Sequence, residues 1–239
     1  MGVIIGRTSE FFDFFVFTIA SVIVFPQRVF SFTDPLTGTL LSFLLLALAF
    51  VARPVGSALF MAIDRRLGRV TKLTVALFLM GTSTVAMGLI PSYDDVGMWA
   101  VLILAVLRIG QGLALGGAWD GTPSLLALMA PRHQGGLYAM VPQLGAPIGL
   151  IVASLLFAYL AASLSAQDFL DWGWRYPFFV AFSVNVVALF ARLRIVATDE
   201  FAALFESREL QPTHLSTTLR EDGRTVLLGI FVPLASFAM

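Results

Sequence analysis

The sequence contains no cysteine, which excludes disulfides and thiolate metal sites. Charge is scarce: 13% of the 239 residues are charged, about half the ~25% usual in soluble domains. The charges also balance, with 15 Lys and Arg against 15 Asp and Glu, so there is no basic footprint for nucleic acid. The two histidines, His133 and His214, fall in predicted loops, which argues against a metal site. No nucleophile–His–acid arrangement and no phosphate-cradling glycine loop is present. The reading is therefore not an enzyme: no catalytic residues, no cofactor, no metal.

What the chain has instead is apolar length. It is 58% apolar, with a mean hydropathy of +0.89, and its apolar residues fall into blocks of about 20, the length that crosses a hydrocarbon core. The expected class is an all-α integral membrane protein in the lipid bilayer. Six spans are predicted, at about 3–25, 36–61, 70–90, 96–129, 136–160 and 176–196. Residues 1–196 then form a six-helix bundle, 197–224 a polar loop, and 225–239 the start of a seventh helix that breaks off at Met239. The N-terminal segment is not expected to be a removable signal peptide, because Glu10 and Asp13 interrupt its apolar core.

Loop charge predicts orientation. Arg65, Arg66, Arg69, Lys72, Arg132, Arg192, Arg194, Arg208, Arg220 and Arg224 fall on one side, against Arg28 and Arg175 on the other. Lysine and arginine stay on the cytoplasmic side, so the N-terminus and the 197–224 loop are expected to be cytoplasmic.

Ionisable groups within spans are costly and usually face a partner or a wet cavity. Glu10 and Asp13 lie three residues apart, on one helix face. They read either as two carboxylates sharing a proton or as hydrated interfacial groups, and Asp13 is the deeper. Arg108, with Gln111 and Gly112 on its face, reads as a pathway group or as a structural arginine serving carbonyls. Arg53 precedes Pro54, whose ring frees a backbone carbonyl that Arg53 is placed to serve, or it is functional. Asp120 is either interfacial or functional.

The glycines read first as packing positions. Gly112 and Gly116, Gly117 and Gly121, and Gly145 and Gly149 each have the G-x-x-x-G spacing that lets membrane helices approach closely. Pro147, between the last pair, predicts a bend. The phenylalanines of span one cover all its faces. Most are expected to meet lipid, with Phe14 or Phe17 as candidates to line a cavity.

Four segments together resemble the metabolite:proton symporter branch of the major facilitator superfamily, which includes proline/betaine, α-ketoglutarate and shikimate permeases. They are Glu10-Phe11-Phe12-Asp13-Phe14-Phe15; Ala52-Arg53-Pro54-Val55-Gly56 with Leu67-Gly68-Arg69; Arg108-Ile109-Gly110-Gln111-Gly112 with Gly116-Gly117-Ala118-Trp119; and Trp172-Gly173-Trp174-Arg175-Tyr176-Pro177-Phe178, followed by Arg192-Leu193-Arg194 and Thr198-Asp199-Glu200-Phe201. Some charges depart from the family pattern. The acid of the basic loop sits at Asp64 rather than at Arg65, and Ala118 stands where the family has Glu, with an acid at Asp120 instead.

The resemblance implies an N-terminal six-helix bundle of a twelve-helix carrier, with the second six-helix half missing from this chain or supplied by another copy. It implies alternating access in the plasma (inner) membrane, and proton-coupled symport of a small polar metabolite such as an organic acid or zwitterion. The substrate and proton pathway would be Glu10, Asp13, Arg53, Arg108, Gln111 and Asp120. The loop Asp64, Arg65, Arg66, Gly68 and Arg69 would clamp the cytoplasmic side, and Gly112, Gly116, Gly145, Pro147 and Gly149 would pack or hinge helices. The rival expectation is a truncated, non-transporting membrane remnant or assembly subunit.

Overall fold

The computed structural model describes residues 2–118, 126–127, 130–131, 133–196, 220, 222–225 and 228–229. Most of the predicted 197–224 loop and 225–239 helix start, and the whole of Trp119-Asp120-Gly121, lie outside these residues. The chain divides into two units, Met1–Ala202 and Ala203–Met239, and the six long helices described all lie in the first. They are α1 (Gly2–Ile23), α2 (Pro35–Leu67), α3 (Arg69–Gly88), α4 (Met98–Gly117), α5 (Gly145–Ser163) and α6 (Tyr176–Val196).

Among the described residues, five helical segments are long and apolar enough to cross a membrane: Pro35–Leu67, Arg69–Gly88, Met98–Gly117, Gly135–Ser163 and Gly173–Phe190. Helix α1 has 22 residues, about 33 Å at ~1.5 Å per residue, and so also has the length, but it carries Arg7, Glu10 and Asp13. Large apolar side chains stay exposed along α2, including Leu36, Leu40, Leu44, Val51, Val55 and Leu59. Hydrocarbon is the solvent that suits such a face.

Local chemistry sets the helix ends. Asp34 caps α2 by accepting the Thr37 N–H at 3.0 Å, and Pro35 follows at the first helical position, where a missing N–H costs nothing. The predicted basic loop is not a loop. Helix α2 has 33 residues, about 50 Å against a hydrocarbon core of ~30 Å, so its basic last turn continues as helix beyond the membrane. Gly68 alone turns the corner, at φ 82°, and α3 begins at Arg69.

The break in the fifth span also differs from the expectation. The chain runs as a short helix Gly135–Met140, a 3₁₀ turn Val141–Leu144 containing Pro142, and then α5. Pro147 sits in the first turn of α5. Its missing N–H would have pointed at Gln143, inside the 3₁₀ turn, so Pro147 breaks no established α-helical bond there.

Helix α1 is the hub, packed against α2, α5 and α6, while α4 packs on α2 and α3, and α6 on α3. One apolar core gathers Phe12, Val16, Phe17, Phe25, Phe30, Trp174 and Phe178. A second gathers Phe60, Ala76, Leu77, Met80 and Ala114. Phe12 is buried rather than lipid-facing, contrary to the general expectation for α1 aromatics, and Phe17, one of the two set apart from that expectation, is buried as well. At the end away from the basic corner, Arg28 pairs with Asp171 and Ser31 bonds Asp94, tying the connecting segments together.

Candidate functional site

Four helices bring polar side chains to one buried layer. Helix α1 supplies Ser9, Asp13 and Phe17, spaced by four and so stacked on one face. Helix α3 supplies Thr84, α4 supplies Arg108 and Gln111, and α6 supplies Asn185. Asp13, Arg108, Gln111 and Asn185 are each at most 2% exposed, and Ser9 and Thr84 are fully buried.

The groups form one hydrogen-bonded chain. Ser9 Oγ donates to Asn185 Oδ1 at 2.6 Å. Asn185 Nδ2 donates to Asp13 Oδ2 at 2.6 Å. Thr84 Oγ1 donates to the same Oδ2 at 3.1 Å. Gln111 Nε2 donates to Thr84 Oγ1 at 2.9 Å, and Arg108 Nη1 donates to Gln111 Oε1. The Arg108 guanidinium lies over the Phe17 ring, 4.0 Å from its centroid, and so replaces lost water with a π face. Asp13 Oδ1 and Arg108 Nε and Nη2 are buried with no hydrogen-bond partner among the described residues. Unmet capacity of this kind is expensive in a low-dielectric interior.

Glu10 stands apart from this chain. It is buried and forms an ion pair with Arg7 one turn earlier on α1. Neither the shared carboxyl pair nor the hydrated interfacial group expected from the sequence describes it. Arg53 is half-buried at the α2–α4 crossing. Asp120 lies outside the described residues.

The crossing of α2 on α4 is built on glycine. A Cβ on Gly112 would meet the Ala49 backbone, one on Gly116 the backbone of Arg53, Gly56 and Ser57, one on Gly56 the Leu113 backbone, and one on Gly117 the Phe60 ring. On the other side of the bundle, Gly145 sits against Arg7 and Thr8, and Gly149 against Phe11 and Phe12. These contacts set how deeply Arg108 and Asp13 sit.

In the basic corner, Asp64 and Lys72 form a buried ion pair at 2.8 Å. Asp64 is thereby committed within this bundle, whereas Arg65 and Arg66 are exposed. Among the described residues no cluster of three or more His, Asp or Glu is placed to hold a metal.

Sequence reading missed Ser9, Thr84 and Asn185. Serine and threonine within spans are common, because they bond back to their own helix, as Thr84 Oγ1 also does to Met80 O at 2.9 Å. Asn185 had a signal: it is the only asparagine in the chain, and it falls in an apolar run where an amide without partners is costly.

The profile of the sugar (and other) transporter family matches residues 2–216. The chain belongs to this family. Its members are transporters, not enzymes. It is 40% identical to the inner membrane metabolite transport protein YhjE of Escherichia coli K12 over 99% of this chain and 54% of that one. It is 32% identical to the E. coli shikimate transporter over 84% of this chain and 46% of that one. The chain thus spans about half the length of the curated relatives it matches. Among solved structures, the partially occluded, inward-open xylose transporter XylE of E. coli matches with a TM-score of 0.62 at 23% identity, covering 88% of this chain and 50% of that one. At that identity the likeness concerns the fold, which is that of the major facilitator superfamily.

Proposed function

We propose that the chain forms the N-terminal six-helix half of a secondary transporter, and that this bundle works by alternating access against a second six-helix bundle. The cargo is a small polar metabolite, an organic acid or a zwitterion, moved together with protons across the inner membrane. The N-terminus and the basic corner face the cytoplasm. The observation that carries the reading is the buried chain Asp13–Thr84–Gln111–Arg108, with opposite formal charges at its ends and unfilled hydrogen-bonding positions on both. A bundle that served only to pack would have little reason to hold such groups in the membrane.

The roles follow from the chemistry. Asp13 carries the transported proton. Arg108 and Gln111 attract a carboxylate. On Arg108 the unfilled atoms are Nε and Nη2, the side-on edge that grips a carboxylate with two parallel bonds. The cytoplasmic clamp narrows to Arg65 and Arg66, because Asp64 is held by Lys72.

The test is uptake of labelled organic acids and betaines into liposomes containing this chain with a complementing six-helix half. Asp13→Asn should abolish proton-driven accumulation, and Arg108→Gln should abolish substrate uptake. Accumulation unchanged in both variants would sink the assigned roles.

A further inference from the structure

Asp13 is held asymmetrically. Its Oδ2 accepts two hydrogen bonds, from Asn185 Nδ2 at 2.6 Å and from Thr84 Oγ1 at 3.1 Å. Its Oδ1 is equally buried and accepts none. A proton placed on Oδ2 would face two donors and displace at least one of them. A proton placed on Oδ1 displaces nothing, and leaves Oδ2 as a carbonyl oxygen that still accepts.

The donors are themselves arranged for either charge state. Asn185 is oriented by Ser9, whose hydroxyl donates to the amide oxygen at 2.6 Å, so the Nδ2 hydrogens are the ones turned to Asp13. The Thr84 hydroxyl has one hydrogen and two acceptors in reach, Asp13 Oδ2 at 3.1 Å and Met80 O at 2.9 Å. Beside a charged Asp13 the hydrogen serves the carboxylate. Beside a neutral one, protonated on Oδ1, the hydrogen still has Oδ2, now the carbonyl oxygen, to serve, and no donor is stranded. Gln111 Nε2 donates to the Thr84 oxygen at 2.9 Å and is compatible with both arrangements.

The charged groups around Asp13 are few. On its own helix Glu10 is engaged by Arg7. Helix α4 contributes Arg108, whose charge acts on Asp13 and which is linked to it by hydrogen bonds through Gln111 and Thr84. Helix α2 carries Arg53 at its crossing with α4, and its acid Asp64 is taken by Lys72. The faces of α3 and α6 that meet Asp13 offer Thr84 and Asn185, and α5 has no charged residue.

We propose that Asn185 and Thr84 are positioning residues that hold Asp13 by Oδ2 alone, so that proton exchange runs through Oδ1. When the pathway opens to one side, Oδ1 takes a proton from hydronium and leaves water behind. When it opens to the other side, Oδ1 returns the proton to water as hydronium. This rests on the reading of Asp13 as the proton-carrying group.

The test is infrared difference spectroscopy, between acidic and alkaline pH, on the full chain reconstituted in liposomes. The band lost in Asp13→Asn identifies the protonated Asp13 carboxyl. A hydrogen bond to a carbonyl oxygen lowers its stretching frequency, so Asn185→Leu and Thr84→Val should each move this band upward, and the double variant should move it further. Thr84→Ser, which keeps the hydroxyl, should leave the band at the wild-type position. A band that Asp13→Asn removes but that neither variant moves overturns the proposal and leaves Asp13 as the proton carrier. No Asp13 band at any pH overturns both. If circular dichroism shows that Asn185→Leu does not fold, the Thr84→Val and Thr84→Ser pair decides alone.

Discussion

Asp13 on α1 and Arg108 on α4 bring opposite charges into one buried layer without making an ion pair; two side chains, Thr84 and Gln111, stand between them. Direct contact would satisfy both groups. The relay leaves Asp13 Oδ1 and Arg108 Nε and Nη2 buried and unfilled. The two helices stay at this spacing because α4 is pinned to α2 by glycine contacts, and α1 to α5 by Gly145 and Gly149.

Removing one charge should cost more than removing both. Arg108→Met takes the donor from buried Gln111 Oε1 and the opposite charge from the layer that holds Asp13, a loss of about 1–3 kcal/mol for a stranded buried group. Groups that share a network couple by ~0.5–3 kcal/mol. Adding Asp13→Asn to Arg108→Met should therefore recover part of the loss. Thermal unfolding in detergent, followed by circular dichroism, measures the cycle. Strictly additive single effects would show that the relay carries no coupling.

The α2–α4 crossing should tolerate no methyl group. In Gly112→Ala the new Cβ would lie 2.7 Å from Ala49 Cα, against backbone that cannot rotate away. Overpacking of this kind costs ~1–3 kcal/mol. Gly136→Ala, where nothing lies within 4 Å, is the control. Matching midpoints for the two variants in detergent unfolding would contradict the close approach.

The basic corner should respond unevenly to loss of its charges. Asp64→Asn strips the partner from buried Lys72, for which about 3–5 kcal/mol is expected. Arg65→Ala removes an exposed charge, and surface changes usually stay within ~0.5 kcal/mol. Limited proteolysis near Gly68 and the unfolding midpoint report the difference. Equal sensitivity of the two variants would mean that the Asp64–Lys72 pair does not hold the corner.

Asp34 should make stability depend on pH at the opposite end of α2. The Thr37 N–H donates to its carboxylate, and this holds the group below its usual range. A carboxyl lowered in the folded state contributes fully above its unfolded value, ~3.9, and the contribution disappears as pH falls through the folded value. An asparagine side chain at this position would still cap the helix, so comparison with Asp34→Asn isolates the charge. The wild-type advantage in Tm at neutral pH should shrink as the buffer is taken below about 3.9. An advantage that persists at the acidic limit would rule out the charge as its source.

The apolar blocks and the sparse charge were enough to establish a multi-span helical bundle, because a bilayer demands ~20 apolar residues wherever the chain crosses it. Asp13, Arg108 and Gln111 stood out for the same reason: each is costly in a span without a purpose. Residue order alone also identified the family, through motifs spread along the chain. Tertiary structure decided the rest, because hydrogen-bond partners come from other helices. It selected Thr84 and Asn185, residues 71 and 172 positions from Asp13, as the donors to its carboxylate. It also committed Asp64 to Lys72, kept the basic corner helical up to Gly68, and moved the irregular turn of the fifth span ahead of Pro147. Spacing along one helix shows which side chains share a face, but only packing shows what that face meets.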